Sequence, residues 1–470
     1  MNAEGLRTFG HQAVDWVADY FQSIEDLPVK SQVKPGDIAS QLAPTPPEKG
    51  EGLDTLIGDV NDIVLPGITH WQHPNFHAYF PGNSSVPSFV AEILTAGLGA
   101  QCMVWETSPA AAELEEHVMN WLKQLMALPK DWHGVIQDTA STGTLVALLT
   151  AREQMTGFQV NEEGFEGRRL RIYCSSETHS SIDKAVRIAG FGSNNLVKIP
   201  VDPEHGMIPA ELRAHIEADL AAGYQPCAVV GASGTTGALG FDPLAELAVI
   251  CKEYGIWFHV DAAYAGSALI LEEERHLMKG LEAADSFVFN PHKWLFTNFD
   301  CAAYYVRDKE ALLRTFEILP EYLKTKTRGT VNDYRDWGIQ LGRRFRALKL
   351  WFVIRYYGAE GLRAKLRQHI EWTQWVEQQI KLSDEFELLM TRRLNMAVFH
   401  VKAAPQDVLT ERLLQDINAS GKAYLSHTKV AGSYAIRLVL GQTNLTFEHV
   451  EKVWKLLGEH LVQLATPSPS

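Results

Sequence analysis

The stretch Asp285-Ser-Phe-Val-Phe-Asn-Pro-His-Lys-Trp294 constrains this chain more than any other. Ser286 to Phe289 is an apolar, β-branched run that reads as a buried strand, and Asn290-Pro291 stops it, because proline offers no ladder donor and restricts its neighbour. His292, Lys293 and Trp294 stand immediately past the stop. A lysine between an imidazole and an indole at the end of a buried strand either snorkels outward from a loop or is desolvated, so that its amine is partly neutral and nucleophilic.

Thirty-two residues earlier, Ile256-Trp-Phe-His-Val-Asp261 is a second apolar strand, ending in a carboxylate and followed by the small residues Ala262, Ala263 and Gly266. If the two strands are parallel, Asp261 and Lys293 share one edge of a sheet, where open α/β folds bind ligands. An aspartate and a lysine so placed match the needs of pyridoxal 5'-phosphate: a covalent aldimine on Lys293, and an anion that keeps the pyridine nitrogen protonated. His-Val-Asp-Ala-Ala-Tyr-Ala-Gly-Ser and Asn-Pro-His-Lys-Trp also resemble the pyridoxal-phosphate-dependent group II decarboxylases, and within them the aromatic-L-amino-acid decarboxylases. The resemblance runs along nearly the whole chain. It implies a fold-type I α/β enzyme with a mostly parallel seven-stranded sheet in its large domain. The implied division is a helical arm at 1–82 that packs on a partner subunit, a cofactor-binding domain at 83–358 and a small α+β domain at 359–470.

Bulk properties agree with such an enzyme. Across 470 residues the chain is 46% hydrophobic and 21% charged, an ordinary globular balance with room for a large core. A formal charge of −14 argues against nucleic acid or an anionic membrane as partner, while leaving room for a local phosphate pocket. The five cysteines are scattered with no Cys-x-x-Cys pair, which favours reduced thiols and a cytoplasmic protein, and supports neither disulfides nor a metal site. No basic segment followed by an apolar core opens the sequence, so no secretory signal is expected, and no apolar run is long enough to span a membrane.

Along the chain, apolar spacing predicts a helix over 6–24, a proline- and glycine-rich connector over 28–52 and a helix over 53–64. Residues 70–82 are a dense aromatic cluster, either a flap on the core or a wall for a flat substrate. Residues 88–128 read as helical, punctuated by Trp105 and Pro109. The hydroxyl-rich turn Thr139-Ala-Ser-Thr-Gly143 opens a helix whose first backbone donors can face an anion. Strand, small polar loop and helix alternate from about 134 to 306, as in a parallel sheet. A long helix is expected from Gly342 toward Tyr357-Gly358, and a final helix carries an apolar stripe from Phe447 to Leu464.

The resemblance assigns roles to residues that the pattern alone leaves open. Ala140, Ser141, His179, Thr236, Asp261, Ala263, Asn290, His292 and Lys293 are implied to hold the cofactor, with His179 stacked on its ring. Trp71, Tyr79, Phe80, Gly82, Gln101, Met103, Trp294 and Gly342 are implied to bind substrate. Gly82 replaces a threonine common in better-known members, Gln101 and Met103 stand where relatives face the neighbouring subunit's site, and Gly342 leaves room for a bulky ring. Tyr322, in the basic loop 318–330, is implied to return a proton to the α-carbon, and its phenol favours simple decarboxylation. The expected reaction converts tryptophan, tyrosine, phenylalanine or a hydroxylated form to the arylalkylamine and carbon dioxide in an obligate homodimer. The alternatives are an aromatic aldehyde synthase and a histidine or glutamate decarboxylase.

Overall fold

The computed structural model describes residues 2–318 and 330–465. Two compact units emerge: Gly82–Glu371, and a second in which Met1–Pro81 groups with Trp372–Ser470. Gly82–Glu371 is built on strands β1 (His133–Gln137), β2 (Leu170–Ser175), β3 (Leu196–Ile199), β4 (Gln225–Ala232), β5 (Trp257–Asp261), β6 (Ser286–Phe289) and β7 (Ala302–Val306). They form one seven-stranded sheet in the order β1-β7-β6-β5-β4-β2-β3. Only β7 runs against its neighbours, pairing antiparallel with both β1 and β6; the remaining pairs are parallel. Every residue of β5, β6 and β7 is buried, which explains why these strands read as unbroken apolar runs: both faces of a parallel sheet are covered.

Helix Ala140–Met155 lies directly on this sheet. A Cβ placed on Gly143 would come within 2.7 Å of Val288 Cγ2, so glycine is what lets the first turn reach the strand. The expected long helix runs from Arg346 to Leu382, further than the glycine signal suggested. Gly358 does interrupt it, at φ 65° and ψ 169°, but helical geometry resumes at once on the far side.

The other unit holds a four-stranded antiparallel sheet, β8 (Phe386–Leu388), β9 (Met396–Val401), β10 (Ser426–Val430) and β11 (Ser433–Val439), in the order β10-β11-β9-β8. Helix Phe447–Ala465 packs Val450, Val453 and Leu457 into its core. Among the described residues no helix is long and apolar enough to cross a membrane, and no group of three or more His, Cys, Asp or Glu side chains could hold a metal.

His77, His259 and His292 are buried, and burial depresses each pKa to about 3. Depressed values mean the native rings stay neutral while the unfolded chain takes up protons below about pH 6.5. Stability contributed by these rings is therefore complete above that pH and lost as pH falls toward 3. We expect each to cost about 1.4 kcal/mol at pH 5.5 relative to pH 8. Urea midpoints at the two pH values test this, and a midpoint unchanged at pH 5.5 would contradict it.

Candidate active site

Parallel pairing places the ends of β4, β5 and β6 along one edge, since Ala232 pairs with Asp261 and Asp261 with Val288. Past Phe289 the chain turns inward instead of continuing the ladder. Asn290 N donates to Ala263 O at 2.9 Å, and Lys293 N donates to Asn290 O at 2.9 Å. Pro291 starts a single helical turn, Pro291–Trp294, where its missing N–H costs nothing. The lysine is thereby held to the same edge as Asp261.

Asp261 is buried, and Ala263 N donates to its Oδ1 at 3.0 Å. Its other oxygen makes no hydrogen bond among the described residues. Burial raises the carboxyl pKa, opposed by the Ala263 N–H and by the nearby Lys293 and His179. Burial also lowers the Lys293 pKa, with Asp261 opposing, which increases the share of neutral, nucleophilic amine. At His179 partial desolvation lowers the pKa, Asp261 opposes it and Lys293 adds to it. These three side chains thus share one electrostatic site. Ser181 N donates to His179 Nδ1 at 3.1 Å, so the neutral ring carries its proton on Nε2.

Thr139 caps helix Ala140–Met155, accepting from Thr142 N at 3.4 Å. The donors of its first turn divide their work. Ala140 N donates to Asn290 Oδ1 at 2.9 Å, tying helix to strand, while the Ser141 N–H and hydroxyl make no hydrogen bond among the described residues. Thr236 lies in the loop after β4, which closes through Gly234 N and Thr235 N on Gly240 O. His292 is buried, and Cys301 N donates to its Nδ1 at 2.9 Å. An amine, a buried carboxylate with one oxygen open and a helix N-terminus with unspent donors on Ser141 fit a phosphorylated pyridine aldehyde.

The residues expected to bind substrate divide between the two units. In the unit containing the amino terminus, Trp71 and Tyr79 stack at 5.8 Å and 17°, and both are exposed. Tyr79 and Tyr424 share a hydrogen bond between hydroxyls at 3.2 Å, whereas Phe80 is buried near the Arg437 guanidinium. Among the described residues, no heavy atom beyond its own chain neighbours lies within 4 Å of a Cβ built on Gly82. Met103 O accepts from Arg335 N at 2.8 Å. Gly342 is less open than expected: a Cβ there would meet Gln101 Nε2 at 3.3 Å, and Gln101 Oε1 is fixed by Arg343 N at 2.7 Å. Trp294 is a correction. Its indole is wholly enclosed, stacked on Tyr264 at 5.3 Å and donating from Nε1 to His369 Nδ1 at 3.0 Å, so it has no face for a substrate. Tyr322 lies outside the described residues.

One site residue was missed. Asn83 is buried, its N–H donates to His292 O at 2.8 Å and its amide to Lys293 O at 2.5 Å, so it pins the backbone of the lysine. A polar side chain straight after Pro81-Gly82 was the available signal, but a contact 210 residues along the chain leaves no local pattern.

Comparison with known proteins agrees with this geometry. The model of the pyridoxal-dependent decarboxylase conserved domain matches residues 35–402. The chain is 41% identical to tyrosine decarboxylase 2 of Narcissus pseudonarcissus, covering all of this chain and 96% of that one. It is also 41% identical to a phenylacetaldehyde synthase of Arabidopsis thaliana, over 98% and 96%. Among solved structures, Oryza sativa TDC with PLP and tryptamine superposes with a TM-score of 0.96 at 35% identity, covering 99% of each chain. Catharanthus roseus tryptophan decarboxylase in complex with L-tryptophan superposes at 0.94 and 36%, again over 99% of each. A carboxylate and an amine held on the same sheet edge, in a chain matched from end to end by such relatives, make this protein a member of the pyridoxal-dependent decarboxylase family.

Proposed function

We propose that the protein decarboxylates an aromatic L-amino acid, tryptophan, tyrosine, phenylalanine or a hydroxylated form, to the corresponding arylalkylamine. The observation that carries this is the sheet edge that holds both Asp261 and Lys293, in a chain 41% identical along its whole length to a tyrosine decarboxylase. When bound, pyridoxal phosphate supplies an electron sink for the pair left behind by carbon dioxide. Lys293 would hold it through its amine, whose lowered pKa favours the neutral, nucleophilic form. Asp261 keeps a proton on the pyridine nitrogen with the oxygen that Ala263 leaves open. Ser141 donates to the phosphate, and Asn290 holds the helix that presents it. His179 would pack on the cofactor's ring, and His292, Thr236 and Ala263 are the other residues that would help hold it. Trp71, Tyr79 and Phe80 are the proposed aromatic contacts for the substrate's side chain, and Gly82, Gln101, Met103 and Gly342 are the further residues proposed to bind substrate. Tyr322 returns the proton to the α-carbon, a step that a phenylalanine could not perform.

The working molecule in this reading is a cytoplasmic homodimer with its sites at the subunit interface. Helix Val86–Leu98 supports it, because Val86, Val90, Ile93, Leu94 and Leu98 form an exposed apolar stripe at helical spacing. The functional division is an arm at 1–82, a cofactor domain at 83–358 and a small domain at 359–470.

Carbon dioxide release measured across aromatic amino acids, with histidine and glutamate as controls, tests the reaction. Amine equal to carbon dioxide is expected, and matching ammonia, peroxide and aldehyde from the unaltered protein would refute it. Tyr322→Phe should leave cofactor affinity unchanged while amine formation falls by about 10²-fold or gives way to another product. Undiminished amine formation would remove Tyr322 from the mechanism.

A further inference from the structure

The histidine two residues before Asp261 takes no part in the chemistry above, yet it is fully buried beside it. His259 and Asp261 lie two apart on β5, so both side chains point to the same face of the sheet. On the adjacent strand Ser286, Val288 and Asn290 follow the same alternation, and Gly143 of helix Ala140–Met155 rests on Val288. His259 fills the gap between helix and sheet. Its Nε2 lies 3.2 Å from Thr144 Oγ1, one turn into the helix, and its Nδ1 lies 2.9 Å from Ser286 Oγ on β6. Trp257 Nε1 donates to the same Ser286 oxygen at 3.0 Å. A neutral imidazole has one donor and one acceptor, so this ring satisfies both hydroxyls only in one orientation.

We infer that His259 is a positioning residue, which locks the phosphate-facing helix in register with the strands that carry Asp261 and Lys293. The three elements must keep a fixed spacing if one bound molecule is to meet Ser141, Asp261 and Lys293 together. Apolar side chains Val146, Ala147 and Ala151 pack the same helix into the core, the Asn290–Ala140 hydrogen bond ties it at the edge, and Gly143 rests on Val288. The imidazole adds a directional link that apolar packing does not supply, because a twist of the helix stretches the Thr144 bond while Ser286 holds the other nitrogen. Buried polar networks whose members are all satisfied rigidify a site in this way. The inference rests on the cofactor placement proposed above, and the two can fail separately.

The test is titration of cofactor-free protein with pyridoxal phosphate, read by the visible band of the lysine-linked form. The variants are His259→Phe, His259→Gln, Thr144→Val and, to check the placement itself, Lys293→Ala. His259→Phe and Thr144→Val should each weaken cofactor binding about tenfold or more, and should lower the fraction showing the band at saturation. His259→Gln, which keeps a donor and an acceptor, should recover most of both. A histidine that served packing alone would leave band and affinity unchanged wherever the variants are folded. Binding within about twofold of the original protein for both His259→Phe and Thr144→Val would overturn the inference. Should His259→Phe not fold, Thr144→Val decides alone by the same limits. A band that survives in Lys293→Ala would instead overturn the cofactor placement.

Discussion

Lys293→Ala loses the visible band of bound cofactor, and carbon dioxide release falls by about 10³-fold or more. The loss follows from chemistry that no neighbour can replace, since the side chain provides a covalent anchor and a nucleophile at once. Lys293→Arg is the sharper control. It keeps the positive charge facing Asp261, but a guanidinium stays protonated at any working pH and cannot act as a nucleophile. Both variants should therefore fail equally, although arginine preserves the local electrostatics. Absorbance spectra and carbon dioxide release check this. A band retained by either variant, or activity recovered by arginine, would show that the anchor lies elsewhere.

Glu115→Ala should destabilise the large unit by about 3–5 kcal/mol, the range for removing one partner of a buried ion pair. Glu115 and Arg343 are joined by two hydrogen bonds, Nη2 to Oε1 at 2.6 Å and Nη1 to Oε2 at 3.1 Å, and both side chains are almost wholly enclosed. The same groups hold β1: Ile136 N donates to Glu115 Oε1 at 2.8 Å and Arg343 Nη2 donates to Ile136 O at 2.7 Å. Removing the carboxylate leaves a buried guanidinium with one backbone oxygen for each Nη, Ile136 O at Nη2 and, at 3.5 Å, Cys102 O at Nη1. Its desolvation is then uncompensated. Replacing both residues, Glu115→Leu with Arg343→Met, should recover most of the loss, because apolar groups of similar size carry no such cost. Denaturant midpoints of the single and double variants measure the difference, and a loss that merely adds would deny the coupling.

How much was legible in the sequence depended on the distance over which each contact acts. Lys293, Asp261 and Asn290 sit within strand ends whose local pattern, an apolar run cut off by proline or small residues, already announces a ligand edge. The helix opening at Ala140 was equally local, as was the alternation that gives a parallel sheet. Trp294 was misjudged because sequence cannot say which side of a one-turn helix faces the core; Tyr264 and His369 enclose the indole from 30 and 75 residues away. Asn83 and the Glu115–Arg343 pair were invisible for the same reason, since their partners lie more than 200 residues distant. Gly342 promised space that a fixed Gln101 amide partly fills, a contact 241 residues apart in the chain.

The sequence by itself determined which residues could do the chemistry, because a lysine, an aspartate and a hydroxyl-rich turn keep their reactivity wherever they are placed, and because strand and helix follow from short-range steric preferences. Only the tertiary structure decided which of them share one electrostatic site, which are sealed from any ligand and which distant side chains hold them in register. Burial and hydrogen bonding act through space, and the chain order does not record which segments will become neighbours.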